Sequence, residues 1–153
     1  MTGRLPPPHQ TADQVPGLAA LLEPLRAGLR HLGSALVCAY LFGSTARGAA
    51  RTGSDLDLGV LFATDPPQTL AGLHLDLADD LSVATGRPVD LVVLNRAPVD
   101  LIHRVLRDGF LVLDQDPGAR IRFEVHARNA YFDLLPHLRR YRRMSPEQPD
   151  DRR

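Results

Sequence analysis

Residues Gly43 to Val60 read GSTARGAARTGSDLDLGV, and the remainder of the chain can be interpreted as support for this stretch. It joins a glycine-serine turn to Asp55 and Asp57, which alternate with Leu56 and Leu58. In an extended strand residues two apart share a face, so the carboxylates point the same way, roughly 6.5 Å apart, and the leucines enter the opposite layer. Such carboxylates repel each other unless a cation or a proton offsets their charge, and the pattern favours a divalent metal ion. The stretch contains no cysteine or histidine, and a site whose ligands are all oxygen atoms favours Mg²⁺ over Zn²⁺.

A third carboxylate is expected beside this pair. Asp90 lies within PVDLVVLN, a run whose other residues are apolar enough to predict a buried strand. Neighbouring strands lie only about 4.8 Å apart, so Asp90 could reach the same cation if its strand pairs beside that of Asp57.

A phosphate site is expected immediately upstream. The apolar run Ala35 to Phe42 predicts a strand that ends at Gly43 and Ser44, and a short helix from Thr45 to Arg51 follows, ended by Gly53. A glycine turn at a helix start lets a phosphate approach the backbone N–H groups. Two simpler interpretations stay open: Ser44 only caps the helix, and D-x-D patterns are common in exposed loops.

Together these features resemble a known family. A GS turn, the sequence SDLD beginning eleven residues after Gly43, and a separate strand aspartate resemble the nucleotidyltransferase superfamily related to DNA polymerase beta. In detail the stretch is similar to the minimal nucleotidyltransferase (MNT) antitoxins, the partners of HEPN-domain toxins. The similarity continues through PVDLVVLNRAP and RFEVHARNAYFDLLPHLRRYR. The carboxylate motif is specific for the superfamily, whereas the antitoxin branch rests on length and the tail sequence.

The resemblance implies a fold and a chemistry. The expected fold is α/β, a small mixed sheet flanked by helices like the polymerase beta palm. The expected activity is transfer of AMP from ATP to a tyrosine of a HEPN ribonuclease toxin, which inactivates the toxin. The expected catalytic residues, which also hold two Mg²⁺ ions, are Asp55, Asp57 and Asp90. The expected nucleotide-binding residues are Gly43, Ser44 and Ser54. Arg47 and Arg51 belong to the motif but receive no role.

Two other functions remain open. An antitoxin of this kind could neutralise its toxin by binding and occlusion alone, although intact carboxylates speak against pure occlusion. A small-molecule nucleotidyltransferase, similar to the aminoglycoside-modifying enzymes, is the second alternative. Those enzymes carry additional helices that grip the acceptor, and only about forty residues follow Leu113 here.

Composition narrows the function further. The 18 basic residues are all arginine and balance 18 acidic ones, so the net charge of zero argues against nucleic acid as the direct substrate. The absence of lysine excludes a P-loop and a covalent lysine nucleotidyl ligase. The single cysteine, Cys38, lies in an apolar run, which predicts a buried and unreactive thiol.

The 153 residues predict one domain over residues 11–143, with a flexible N terminus at 1–10 and a disordered tail at 144–153. No signal peptide or membrane-spanning run is visible, so a cytoplasmic location is expected. The short helix between the strand that ends at Phe42 and the strand that ends at Phe62 is expected to be a crossover connection.

Further helices follow from apolar periodicity and from proline and glycine punctuation. We expect one from Thr11 to Gly33, kinked or split at Pro24; one from Asp65 and Pro66 to Gly86, with Asp65 as cap; one from Pro98 to Gly109; and one from Asp116, interrupted near Pro136. Four arginines between 139 and 143 make the last helix end basic. They either complement the helix dipole or form a docking surface.

Overall fold

The computed structural model describes residues 17–48, 51, 53–66 and 71–144, and only the backbone of residues 71–74 and 144. The elements in chain order are α1 (Ala19–Arg30), a 3₁₀ turn (Gly33–Ala35), β1 (Leu36–Phe42), α2 (Gly43–Ala46), β2 (Leu56–Phe62), α3 (Ala71–Thr85), β3 (Val89–Val93), α4 (Val99–Asp108), β4 (Phe110–Asp114) and α5 (Pro117–Met144). The predicted flexible N terminus and residues 145–153 of the predicted tail lie outside the described residues. Among the described helices, none has the length and apolar character needed to cross a membrane.

The four strands form one mixed sheet in the order β3-β2-β1-β4. β1 pairs antiparallel with β2 and β4, whereas β2 and β3 run parallel. The predicted mixed sheet flanked by helices is confirmed. The predicted crossover between β1 and β2 is wrong: α2 is a single turn, so this segment reverses the chain instead of returning it across the sheet as the helix of a parallel crossover does.

Helices cover both faces of the sheet. α1 and α3 pack on the face that carries the fully buried Leu41, Leu56 and Leu58. α4 and α5 pack on the opposite face, which carries Tyr40 and Leu61. Because both faces are covered, β1 and β2 are almost continuously apolar, as expected for central strands. The leucines at 56 and 58 also point away from the layer that contains α4, which leaves that side free for polar groups.

α1 is not split at Pro24 and α5 is not interrupted near Pro136, so the predicted split and the predicted interruption are wrong. α1 continues through Pro24, and α5 runs for 28 residues across Pro136. A helix-interior proline costs about 3 kcal/mol, mainly through a lost backbone hydrogen bond. In α1, Leu22, Leu25 and Leu29 are buried on both sides of the proline, so their packing outweighs this cost. Pro136 is exposed, where water can bind the freed carbonyl group.

Most predicted helix ends are found. α3 stops before Gly86, whose φ of 68° suits glycine. At the start of α5 the backbone N–H of Ala119 donates to Oδ1 of Asp116 over 2.9 Å, which is a side-chain cap. Asp65, the predicted cap of α3, accepts a 2.7 Å hydrogen bond from Nε of Arg96. Its predicted role as a cap stays a prediction, because residues 67–70, where that helix would begin, lie outside the described residues.

A buried polar network ties α5 to the sheet. Tyr40 Oη donates to Oε1 of Glu124 over 2.6 Å, and Arg120 bridges Glu124 and Asp114 over 2.8 and 2.9 Å. Burial raises the pKa of the neighbouring Cys38 thiol to about 12, so this thiol stays protonated and unreactive, as predicted.

Candidate active site

A cleft of about 330 Å³ opens on the α4 side of the sheet, where the end of β1 meets β2. Of the predicted site residues, Gly43, Ser44 and Asp57 line it directly. α4 contributes residues that the motif gave no reason to expect. The complete lining is Phe42, Gly43, Ser44, Arg47, Asp57, Leu101, Arg104 and Asp108. The glycine-serine turn and one carboxylate therefore share a concave surface with Arg104, from a helix more than forty residues later in the chain.

Gly43 is required by geometry at the start of this turn. Its φ of 75° lies in the left-handed region, and a Cβ on it would lie 2.9 Å from Cγ of Asp57. The backbone of the turn and the Asp57 carboxyl group are thus in direct apposition. The predicted helix from Thr45 to Arg51 is shorter than expected, since α2 covers only Gly43–Ala46. Any anion at this turn would be bound by individual N–H groups more than by a helix dipole.

The sheet brings two of the predicted carboxylates together. Asp57 of β2 and Asp90 of β3 are direct partners in the parallel register, so their side chains leave the same face of adjacent strands. Asp55 precedes the first residue of β2, Leu56, and is exposed. The prediction that all three aspartates lie in strands is therefore wrong for Asp55, although it remains in the same cluster.

The electrostatics of Asp57 show that the three carboxylates interact. Burial raises the pKa of the Asp57 carboxyl group above its ordinary value, and the charges of Asp90 and Asp55 raise it further. The guanidinium group of Arg47 opposes this shift without cancelling it. The cluster consequently carries more negative charge than its surroundings neutralise, which favours binding of a cation.

The donor set suits a hard divalent cation, because it consists of carboxylate oxygens alone. In their present rotamers, no three aspartate, glutamate, histidine or cysteine side chains of the described residues converge on one point as metal ligands. Asp55 and Asp90 are both exposed, and exposed side chains change rotamer within picoseconds to nanoseconds.

Arg87 braces the loop that delivers Asp55, and the sequence analysis missed it. Its Nε donates to the backbone oxygen of Ser54 over 2.9 Å, its Nη2 donates to the same oxygen, and Nη2 also reaches Oγ1 of Thr45 at 3.2 Å. One guanidinium group thus joins α2 to the residue before Asp55. The side chain of Ser54, predicted to contact nucleotide, is half-buried but does not line the cleft.

Two arginines of the cleft differ in their surroundings. The pKa of Asp108 is lowered, first by its hydrogen bonds with Arg107 and further by the charge of Arg47, which also opposes the raised pKa of Asp57. Asp108 is also held by Arg107, whose Nε and Nη2 donate to its two oxygens over 2.8 and 2.7 Å. Arg104 makes no hydrogen bond or ion pair within the described ranges. Only three-dimensional proximity identifies Arg104 and Asp108, because no motif contains them.

Residues 30–118 match the family model described as "Polymerase beta, Nucleotidyltransferase". The match covers more than half of the chain and includes all six predicted site residues. The chain belongs to this nucleotidyltransferase family. No curated protein matches the sequence of this nucleotidyltransferase.

Solved structures extend the likeness to the fold. A chain of a toxin-antitoxin complex with AMP-PNP is 27% identical, with a TM-score of 0.68 over 78% of this chain and 94% of that one. A minimal nucleotidyltransferase is 34% identical, with a TM-score of 0.51 over 61% of this chain and 93% of that one. A complex of an MNT antitoxin with the tri-AMPylated HEPN toxin of Shewanella oneidensis contains a chain that shares the fold at 24% identity, with a TM-score of 0.65 over 80% and 93% of the two chains. These similarities confirm the polymerase beta-like nucleotidyltransferase fold.

Proposed function

We propose that this nucleotidyltransferase transfers AMP from ATP to a tyrosine hydroxyl of a cognate HEPN ribonuclease toxin, and that the transfer inactivates the toxin. The observation that carries the proposal is the direct register of Asp57 with Asp90, beside Asp55 and opposite the Gly43 turn. A nucleotide with its phosphates at Gly43 would place its α-phosphate near the carboxylates. The cluster of three carboxylates does not stabilise the fold, because the carboxylates repel each other.

The chain's own residues would divide the work. The β- and γ-phosphates would be bound by backbone N–H groups of the turn, by the Ser44 hydroxyl and by Arg47. Ser54 would lie nearby, in the loop that carries Asp55. Asp90 is exposed and would take the proton of the attacking hydroxyl. An oxygen-phosphorus bond then forms at the α-phosphate, and pyrophosphate leaves.

Asp55, Asp57 and Asp90 are the proposed ligands of two Mg²⁺ ions. When bound, these ions supply charge neutralisation for the α-phosphate and lower the pKa of the acceptor hydroxyl. The raised pKa of Asp57 adds a consequence: protons compete with the metal for this carboxylate, so metal binding strengthens as pH rises.

The acceptor is proposed to be a folded protein. A tyrosine presented by a partner surface needs no deep acceptor pocket, since the partner's own fold orients the hydroxyl towards the α-phosphate. The resemblance to MNT antitoxins and the toxin-antitoxin complexes among the similar structures support a HEPN toxin as that partner. AMP attached near a ribonuclease active site adds a negative charge where RNA must bind. We expect both proteins to act in the cytoplasm.

A labelling experiment tests this proposal. The purified protein is incubated with its cognate HEPN toxin, Mg²⁺ and ATP labelled either at the α- or at the γ-phosphate. Transfer of AMP predicts that the toxin gains α-label but no γ-label, and that Asp57→Asn abolishes the labelling. Gain of γ-label would identify a kinase instead. If the toxin gains no label but is fully inhibited by the wild-type protein and by Asp57→Asn alike, the function is occlusion and not transfer.

A further inference from the structure

One side of the active-site cleft is formed by a single face of α4. Leu101, Arg104 and Asp108 are spaced three and four residues apart, so they share this face, and all three line the cleft. α4 also contacts α2, so the face borders the same cleft as the turn at Gly43 and Ser44. The central side chain of the face, Arg104, is exposed and makes no hydrogen bond or ion pair within the described part of the chain.

The other charged side chains of the cleft already interact with opposite charges. Asp108 accepts hydrogen bonds from Nε and Nη2 of Arg107 over 2.8 and 2.7 Å. The charge of Arg47 acts on both Asp57 and Asp108. Arg104 is therefore the guanidinium group of the cleft that no carboxylate of the described residues neutralises. A bound anion gains the most from this group, because it need not displace a carboxylate to reach it.

Arg104 stands away from the carboxylate cluster. Among the described residues, Arg47 is the cation whose charge shifts the pKa of Asp57, and Arg104 is not part of that shift. Arg104 also lines the groove between α4 and α5, so it lies where the cleft opens into that groove. A nucleotide whose α-phosphate lies at the carboxylates needs a different group for its terminal phosphates, and Arg104 has the free charge for this task.

The terminal phosphates need a cation from the protein. The three carboxylates would neutralise most of the charge of two divalent ions, which leaves little for the β- and γ-phosphates. Negative charge on these phosphates grows as the leaving oxygen separates from the α-phosphorus. The chain contains no lysine, so only arginine can supply a permanent side-chain cation. A guanidinium group binds two phosphate oxygens at once, which suits this role.

We propose that Arg104 binds the β- and γ-phosphates of the nucleotide and holds the pyrophosphate as it leaves. This inference rests on the proposed function. In the transfer, the acceptor oxygen forms a bond to the α-phosphorus, and the bond from that phosphorus to the oxygen bridging to the β-phosphate breaks. The electron pair of the broken bond stays on pyrophosphate, and a carboxylate of the cluster takes the acceptor's proton. Arg104 stabilises the charge on pyrophosphate and makes the site selective for a nucleoside triphosphate.

A binding experiment tests Arg104 without any transfer. The full chain is titrated calorimetrically, in the presence of Mg²⁺, with AMP-PNP, with imidodiphosphate, which represents the terminal phosphates alone, or with AMP, which lacks them. Weak ligands are measured by displacement of AMP-PNP. A hydrogen bond to a charged group changes affinity by about tenfold to a hundredfold, so Arg104→Gln should weaken AMP-PNP and imidodiphosphate binding at least about tenfold. Its affinity for AMP should stay near that of the wild-type protein.

Arg142→Gln is the matched control. Arg142 is exposed and unpaired within the described residues, and it lines the groove beside Arg104 but not the cleft. The control removes the same charge from the neighbouring surface and should bind all three ligands like the wild-type protein. Wild-type affinity of Arg104→Gln for AMP-PNP, or an equal loss in Arg142→Gln, would overturn the proposal. An equal loss of AMP binding in Arg104→Gln would place the guanidinium group at the α-phosphate or the nucleoside and would overturn it too.

Steady-state kinetics separate failure of this inference from failure of the proposed function. With the cognate toxin as acceptor, Arg104→Gln should lower kcat/KM for ATP at least about tenfold and leave the KM for the toxin unchanged. An effect confined to the KM for the toxin would show that Arg104 contacts the partner protein, which would overturn the proposal while leaving the transfer intact. No AMP transfer by the wild-type protein would contradict the proposed function, and binding of AMP-PNP and imidodiphosphate would then decide the role of Arg104 on its own.

Discussion

A Cβ atom on Gly43 would lie 2.9 Å from Cγ of Asp57, so the turn and the carboxylate occupy adjoining space that admits no side chain. Real Cβ atoms essentially never approach another atom so closely, and the φ of 75° at Gly43 excludes most other residues independently. The close approach of backbone and carboxylate is what lets one bound nucleotide contact both.

Gly43→Ala should abolish nucleotide binding. The methyl group displaces Asp57, and the left-handed backbone costs about 1–2 kcal/mol of stability in addition. Gly48→Ala is the matched control: its φ of 68° imposes the same backbone strain, but a Cβ there meets nothing within 4 Å. Calorimetry with AMP-PNP and Mg²⁺ compares the two. Equal affinities would mean that the phosphates bind away from this turn.

Asp55→Asn, Asp57→Asn and Asp90→Asn should each lower transfer at least about a hundredfold, because each removes a proposed metal ligand. The proteins should remain folded. Asp108→Asn removes a carboxylate from the same cleft but outside the three-aspartate cluster, and should retain most activity. Initial rates of AMP transfer at saturating Mg²⁺ provide the measurement. Substantial transfer by Asp57→Asn would eliminate the two-metal mechanism.

The contribution of Asp57 to the stability of the metal-free protein should fall as pH rises from about 4. The folded-state pKa of Asp57 is raised above its ordinary value of 3.8, so between these two values the folded protein binds more protons than the unfolded chain. The penalty is absent below the unfolded pKa and complete above the folded one. Urea unfolding in EDTA at several pH values should show that the stability of Asp57→Asn, relative to the wild-type protein, increases as pH rises. Identical profiles for the two proteins would refute the repulsion argument.

Arg87 should act as a positioning residue. Arg87→Met removes the hydrogen bonds to the Ser54 carbonyl group and to Thr45, which frees the loop that carries Asp55. A displacement of about 1 Å can cost a hundredfold in rate, so kcat should fall by roughly ten- to a hundredfold. Affinity for AMP-PNP should change much less, because Arg87 does not line the cleft. Unaltered kcat would show that the loop is fixed by other contacts.

Arg120→Met should destabilise the fold without touching the site. Arg120 is 13% exposed and donates to both the half-buried Asp114 and the buried Glu124, so its removal takes a guanidinium partner away from each carboxylate. Loss of one partner from such a network costs about 3–5 kcal/mol. Chemical denaturation gives the free energy of unfolding. Exposed Arg122→Met serves as the control and should stay near wild type.

Local sequence patterns predicted most of the sheet and the central carboxylates. The bounds of β2, Leu56–Phe62, follow directly from an apolar run that begins beside an aspartate, and Asp90 was found because it interrupts a similar run. Pro24 and Pro136 misled the prediction because helix propensity is outweighed by core packing in one case and by solvent exposure in the other. Arg87, Arg104 and Asp108 reach the site only through tertiary packing, and no short motif encodes such contacts.

The intact mass of the partner toxin tests transfer most directly. The cognate HEPN toxin is co-expressed with the wild-type protein or with Asp57→Asn, purified and weighed by mass spectrometry, while cell growth reports protection. We expect the toxin to gain the mass of one or more AMP groups only with the wild-type protein, and protection to be lost with Asp57→Asn. An unchanged toxin mass together with equal protection by both proteins would contradict AMP transfer and establish occlusion.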